Sequence, residues 1–210
     1  MIRVALVDDH AMIRRGLREL FTDSGYFRVV GEAGDYAEWR EMSDETGYDL
    51  LVLDLHMPGR GGIEIIQKAV EVNPRAKILV FSQYPEDQYG MRAFRAGAMG
   101  YLNKGAPSED IILAAQTVAN GRNFATPQMS SLMVDSLKKP GACAPHEILS
   151  PREMQTMISY ARGAKLADIA DDLGLSTKTV SVYRGRVKEK LGVTTNAGIA
   201  AYALRHGLID

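Results

Sequence analysis

The chain has 210 residues, 46% of them apolar, with 25 Lys and Arg against 26 Asp and Glu and a formal net charge of −1. That length holds one large domain or two small ones, and no apolar run reaches the length that spans a bilayer. Strand-like residues follow Met1 directly, which leaves no room for a signal peptide, and the single cysteine, Cys143, excludes an internal disulfide framework and fits a reducing cytoplasm.

Charge is unevenly spread. Residues 1–121 carry 13 basic and 18 acidic side chains, a balance of −5, whereas residues 150–210 carry 9 and 6, a balance of +3. The two ends are therefore expected to face different partners, with a polyanion the candidate for the basic one.

In chain order, Val4 to Val7 is a predicted strand, and His10 to Phe21 sets Met12, Ile13, Gly16, Leu17 and Leu20 at helical spacing. Phe27 to Gly31 is a second strand and Tyr36 to Thr46 a short polar helix. Leu50 to Leu53 is short, aliphatic and bounded by polar residues, as a buried parallel strand is. Pro58 and glycines 59, 61 and 62 then form a turn into a helix, Gly62 to Val72, stopped by Asn73-Pro74. Ile78 to Phe81, Glu86 to Ala96, Gly100 to Leu102 and Ser108 to Ala119 continue the alternation, with Ser108 as expected N-cap and Gly121 as closing punctuation. Five strands alternating with five helices predict an α/β doubly wound five-stranded parallel sheet. Thr126 to Leu137 is a further amphipathic helix, and Lys138 to Leu149, with two prolines, a glycine and no periodicity, is a linker.

From Ser150 the pattern is all-helical. Ser150-Pro151-Arg152-Glu153 is a capping box, and its helix runs to about Arg162 before Gly163. Lys165 to Leu173 ends at Gly174, Ser176 caps a helix to Leu191, Gly192 ends it, and Thr195 to His206 is the last. The domains are thus expected at 1–121 and 149–210, joined by a linker helix and flexible linker over 122–148.

The chemistry lies at one rim. Asp54 ends the third strand, and Asp8 and Asp9 follow the first; in a parallel sheet these ends share the edge where open α/β folds place their sites. A lone acid there is more often an ordinary helix cap. Three carboxylates together repel unless a cation neutralises them, and oxygen ligands suit Mg²⁺. Ser82 ends the fourth strand and Lys104 follows the fifth, so the rim gathers three acids, a hydroxyl and an ammonium. Such parts fit phosphoryl transfer to Asp54.

With VDDH at 7–10, LDLHMPGRGG at 53–62, FSQY at 81–84 and GYLNK at 100–104, residues 1–121 resemble the receiver domain of two-component response regulators, a flavodoxin-like fold. The resemblance implies that Asp54 is the phosphoacceptor. It implies that Asp8, Asp9, Asp54 and the backbone carbonyl of His56 hold Mg²⁺, that Lys104 binds the phosphoryl group, and that Ser82 swings toward it while Tyr101 follows inward as an aromatic switch. Gly61 replaces a more usual acid, and Gly105-Ala106-Pro107 departs from the frequent Lys-Pro. The imidazoles of His10 and His56 are expected to be structural, since hard Mg²⁺ prefers oxygen. A phosphatase working through an aspartyl phosphate would want an acid two residues after Asp54, where His56 stands.

At the basic end, a helix ending at Gly174 and another starting from Ser176 form a helix-turn-helix pattern. In the second of these helices Val180, Val187 and Leu191 should face the core, while Lys178, Arg184, Arg186, Lys188 and Lys190 outnumber Glu189. A basic helix after a tight turn fits the major groove. LSPRE at 149–153, ADIADDLGLSTKTVSVYR at 167–184 and KLGV at 190–193 resemble the LuxR-type DNA-binding domain, and both resemblances together point to the NarL/FixJ family. Matching its recognition helix puts Ser181, Val182 and Gly185 toward base edges and leaves Thr179, Tyr183, Arg184 and Lys188, with Lys178 beside them, for the DNA backbone. Small residues on an apolar face of the last helix suggest pairing with a second copy, with packing inside its own domain as the alternative. The whole reads as a cytoplasmic transcription regulator without a membrane partner. The resemblance implies that a sensor histidine kinase phosphorylates it at Asp54 and that it is expected to pair as a homodimer on double-stranded DNA. A DNA binder with a vestigial acidic site is the rival.

Overall fold

In a computed structural model of the chain, the described residues are 1–45, 47–57, 62–138 and 144–209. They form two compact units, residues 1–140 and 141–210. The turn at Pro58, Gly59 and Gly61, Thr46, the middle of the linker with Cys143, and Asp210 lie outside the described residues.

The first unit runs β1 (Ile2–Val7), α1 (Ala11–Asp23), β2 (Phe27–Ala33), α2 (Tyr36–Glu45), β3 (Leu50–Leu53), α3 (Gly62–Val72), β4 (Ile78–Ser82), α4 (Glu86–Ala96), β5 (Gly100–Asn103), α5 (Ser108–Ala119) and α6 (Pro127–Lys138). All strand pairs are parallel, in the order β2-β1-β3-β4-β5. Four of the strands are one or two residues longer at an end than periodicity indicates, because ladder hydrogen bonding carries on past the apolar run. Every residue of β3 and β4 is buried, as the continuous aliphatic runs require. On one face Val4, Leu6, Leu50, Val52, Leu79, Phe81 and Leu102 pack with Leu17 and Phe21 of α1 and Ile111, Ala115 and Val118 of α5. The alternate residues Ala5, Val7, Leu51, Leu53, Ile78, Val80 and Tyr101 are buried too. Burying each large aliphatic side chain contributes about 1.5–3 kcal/mol.

Gly62 and Gly90 are among the glycines fixed by contact. A Cβ on Gly62 would lie 2.4 Å from the Asp54 carbonyl oxygen and 2.6 Å from Leu55 Cα, so α3 begins against the backbone that carries Asp54. A Cβ on Gly90 would meet Met129 Sδ at 2.5 Å, and Met129, fully buried, seats α6 on α4.

Several sequence expectations are corrected. Ser108 is the first residue of α5, not its cap: Pro107 holds the cap position with φ −59° and ψ 150°, and no side chain caps the helix. Glu109 and Asp110 face its positive end instead. Before α6, the Phe124 N–H donates to the Met99 carbonyl at 2.8 Å beside β5. The linker also ends in a 3₁₀ turn, Pro145–Ile148.

The second unit holds that turn and α7 (Pro151–Ala161), α8 (Leu166–Asp172), α9 (Thr177–Leu191) and α10 (Asn196–Arg205). The capping box is present: Glu153 N–H donates to Ser150 Oγ at 3.3 Å, and Ser150 N–H to Glu153 Oε2 at 2.7 Å. Ser176 caps α9 and Thr195 caps α10. Met154, Met157, Ile169, Val180, Val187 and Ile199 form the buried centre. Among the described residues no helix is long and apolar enough to cross a membrane.

Candidate functional site

Strand order reverses between β1 and β3, the place where open α/β sheets present a crevice at the carboxyl ends. Val7 pairs with Leu53, and Asp54 N–H donates to the Val7 carbonyl at 2.8 Å, so Asp8 and Asp54 are neighbours by backbone alone. Lys104 N–H donates to the Ser82 carbonyl at 2.9 Å, which sets those two side by side.

Three groups converge on the Asp54 carboxylate, which is 2% exposed. Ser82 Oγ donates to Oδ1 at 2.6 Å, His56 N–H donates to Oδ1 at 3.1 Å, and Lys104 Nζ donates to Oδ2 at 2.7 Å. The same ammonium lies 2.6 Å from Asp8 Oδ2. Burial pushes the Asp8 carboxyl up, against the pull of Lys104. Burial alone would push the Lys104 ammonium down, but the hydrogen bonds and charges of Asp54 and Asp8 outweigh it and hold the ammonium above its ordinary value.

Ligand atoms of Asp8, Asp9, His10 and Asp54 lie within 4.8 Å of one another. Asp9 Oδ1 is buried and accepts no hydrogen bond, and His10 Nδ1 lies 2.7 Å from it. A carboxylate oxygen left without a donor beside two further acids fits a hard cation. His10 also turns its backbone N–H to Asp8 Oδ1 at 2.9 Å.

Tyr101 is 1% exposed, and its hydroxyl donates to the Tyr84 carbonyl at 2.8 Å. Burial, with the Asp54 charge adding, pushes its phenol up. Ser82 and Tyr101 thus both point into the protein. The imidazole of His56 is not aimed at the acids alone: Nδ1 is 2.9 Å from the Tyr84 hydroxyl, and Nε2 is 3.9 Å from Asp9 Oδ2. Tyr84, which sequence reasoning passed over, therefore touches both His56 and Tyr101. Its only sequence signal is its place two residues after Ser82.

On α9, Lys178, Val182, Gly185 and Arg186 are exposed, and Thr179, Ser181, Tyr183, Arg184 and Lys188 are half-buried. The Thr179 hydroxyl is bonded to Ser176 Oγ at 2.8 Å. Arg184 lies 5.6 Å from the Tyr160 ring centroid and donates to Ser181 Oγ at 3.3 Å. Lys190 reaches inward to the buried Glu153 at 2.6 Å.

Residues 4–116 match the response regulator receiver domain family, and residues 147–203 match the luxR family of bacterial regulatory proteins. The chain belongs to the NarL/FixJ response regulators. Over its full length this response regulator is 36% identical to the response regulator GacA of Pseudomonas aeruginosa, covering 99% of that protein, and 34% identical to UvrY of Escherichia coli, covering 97%. A LuxR-family two-component response regulator from Aurantimonas is 32% identical, with a TM-score of 0.61, over 66% of this chain and 99% of that one. A structure of RcsB with DNA, 24% identical with a TM-score of 0.60 over 97% of this chain and 98% of that one, shares the fold. The response regulator thus carries a receiver domain and a LuxR-type DNA-binding domain on one chain.

Proposed function

We propose that Asp54 is the phosphoacceptor of the receiver and that its phosphorylation by a sensor histidine kinase controls DNA binding by α9. The observation that carries this reading is the convergence of Ser82, Lys104 and the His56 N–H on one buried carboxylate. An Asp54 oxygen attacks the phosphorus of a phosphohistidine, the P–N bond breaks, and an acyl phosphate forms. Lys104 leaves the carboxylates for the new phosphoryl oxygens, and Ser82 follows them. Asp8, Asp9, Asp54 and the backbone carbonyl of His56 would hold Mg²⁺, which supplies charge neutralisation for the phosphoryl oxygens. Tyr101, already buried against Tyr84, reports the state of Ser82 to the α4 side of the sheet.

In the second unit, the exposed Lys178 and the half-buried Lys188 and Arg184 serve phosphates, with Thr179 and Tyr183 beside them. Val182, 49% exposed, has the apolar surface that meets a thymine methyl, next to Ser181 and Gly185. Ala197, Ala201 and Leu204 form an exposed face of α10 suited to a second copy on paired half-sites. The phosphorylated protein acts as a cytoplasmic homodimer on double-stranded DNA. The receiver ends at about residue 121 and the DNA-binding domain begins at about 149 in this reading, with the linker over 122–148.

Asp54→Asn is the test. With a radiolabelled small phosphodonor and Mg²⁺ the variant takes up no label, while its circular dichroism and unfolding match the parent. Label retained by the folded variant would overturn the assignment.

A further inference from the structure

We infer that Arg14 is the residue that positions Asp9 in the cation site, an inference that rests on reading the acidic rim as a divalent-cation site. Arg14 stands on α1, its side chain 20% exposed, and its Nη1 donates to the Asp8 carbonyl oxygen at 2.5 Å. The Asp8 N–H is held on the other side by the Ala33 carbonyl at 3.0 Å. The peptide joining Asp8 to Asp9 is therefore clamped by its carbonyl, and the direction of that carbonyl sets where Asp9 leaves the backbone. Asp9 depends on this more than its neighbours do. Asp8 is fixed by His10 and Lys104, and Asp54 by Ser82, His56 and Lys104, whereas Asp9 Oδ1 accepts no hydrogen bond and, among the described residues, the Asp9 carboxylate has only the imidazoles of His10, at 2.7 Å, and His56, at 3.9 Å, beside it.

A guanidinium beside a cation site has a second, opposing effect, because its charge repels the ion. The fold offsets this: Arg14 Nε lies 3.4 Å from Glu32 Oε2, and Arg18 Nη1 3.0 Å from Glu32 Oε1. Arg14 and Arg18, one helical turn apart, thus share one carboxylate on β2, but only Arg14 reaches the Asp8 carbonyl. The sign of a substitution separates the two effects. If Arg14 acted as a charge alone, removing it would tighten cation binding; as a positioning residue, removing it weakens binding. Groups that orient metal ligands typically cost 10–100-fold in affinity when removed.

The experiment titrates the full chain with Mn²⁺, reading the free ion by electron paramagnetic resonance, with Mg²⁺ as competitor. Arg14→Met keeps the aliphatic stem and loses the donor; it is expected to weaken Mn²⁺ binding about tenfold or more. Arg14→Lys restores a donor and most of the affinity. Arg18→Met removes the other partner of Glu32 and leaves affinity within about twofold of the parent, by the same reasoning. Should Arg14→Met not fold, Arg14→Gln, too short to reach the carbonyl, takes its place with the same expectation. Unchanged or tighter binding in the Arg14 variant, or equal weakening in Arg18→Met, overturns the inference while the acidic site stands. A parent protein that binds no Mn²⁺ overturns the site itself and the inference with it.

Discussion

The acidic rim of the receiver and the basic helix of the second unit are both dense in charge, yet they hold it differently. At the rim, Asp8, Asp54 and Ser82 leave the ends of adjacent strands about 4.8 Å apart, so the backbone brings short side chains together, and Lys104 reaches across from the last strand to the two carboxylates that draw it. On α9 five cations sit at the ends of long stems along one helix. Two of them meet partners within the unit: Lys190 at Glu153, and Arg184 over the Tyr160 ring. Charge carried on a strand end is placed by topology; charge carried on a long stem goes where a local partner draws it.

The largest effect expected from this contrast is on stability. Glu153 is 2% exposed and faces Lys190 at 2.6 Å as well as the Ser150 N–H. Lys190→Met leaves that carboxylate buried without its cation, at a cost of about 1–3 kcal/mol. Chemical denaturation of the full chain reads the loss. The same variant should leave the salt dependence of DNA binding as it was. A flatter dependence would move Lys190 into the DNA surface and erase the distinction drawn here.

Arg184 sharpens the comparison from the other side. A cation that releases one counterion from a phosphate contributes a slope of about 0.9 in log affinity against log salt. Lys178→Ala, at an exposed position, should lower the slope by about that amount on specific and random duplexes alike. Arg184→Ala should do the same if its guanidinium leaves the Tyr160 ring for a phosphate. An unchanged slope with weaker folding would make Arg184 a packing residue.

The same contrast explains what was legible in the sequence. The sheet, its order of elements and the convergence of Asp8, Asp54, Ser82 and Lys104 follow from apolar runs that end in polar residues, because strand ends in a parallel sheet share a rim. The capping box at Ser150 was equally plain, since both partners lie within four residues. What sequence could not give were contacts made by reach: Arg14 to the Asp8 carbonyl, Lys190 to Glu153, Tyr84 to His56. Ser108 misled because a proline before it already holds the extended cap conformation. The packing of Met129 on Gly90 was hidden because no periodicity records a notch on another helix.

The smallest effect tests whether burial, beyond strand-end geometry, makes the rim special. At the opposite end of the same sheet Arg3 and Asp49 are also brought together by β1 and β3, with the Asp49 carboxylate accepting from the Arg3 backbone N–H at 2.9 Å and from its guanidinium at 3.0 Å. Here both side chains are exposed, 51% and 39%. The side-chain hydrogen bond from Arg3, then the backbone one, lowers the Asp49 carboxyl below its ordinary 3.8. A lowered carboxyl is charged more readily in the folded state than in the unfolded one. Its stabilisation is therefore present above 3.8 and is lost as pH falls through the folded value. Solvent screening keeps it small. Asp49→Asn should destabilise the protein at pH 7 by a fraction of the Lys190→Met loss, and the gap to the parent should close as the solution is acidified below 3.8. Denaturant midpoints measured from pH 7 down to about pH 2 read both. A loss as large as that of Lys190→Met would mean that strand-end geometry alone makes a charge pair strong, and that the buried rim owes less to its burial than its geometry suggests.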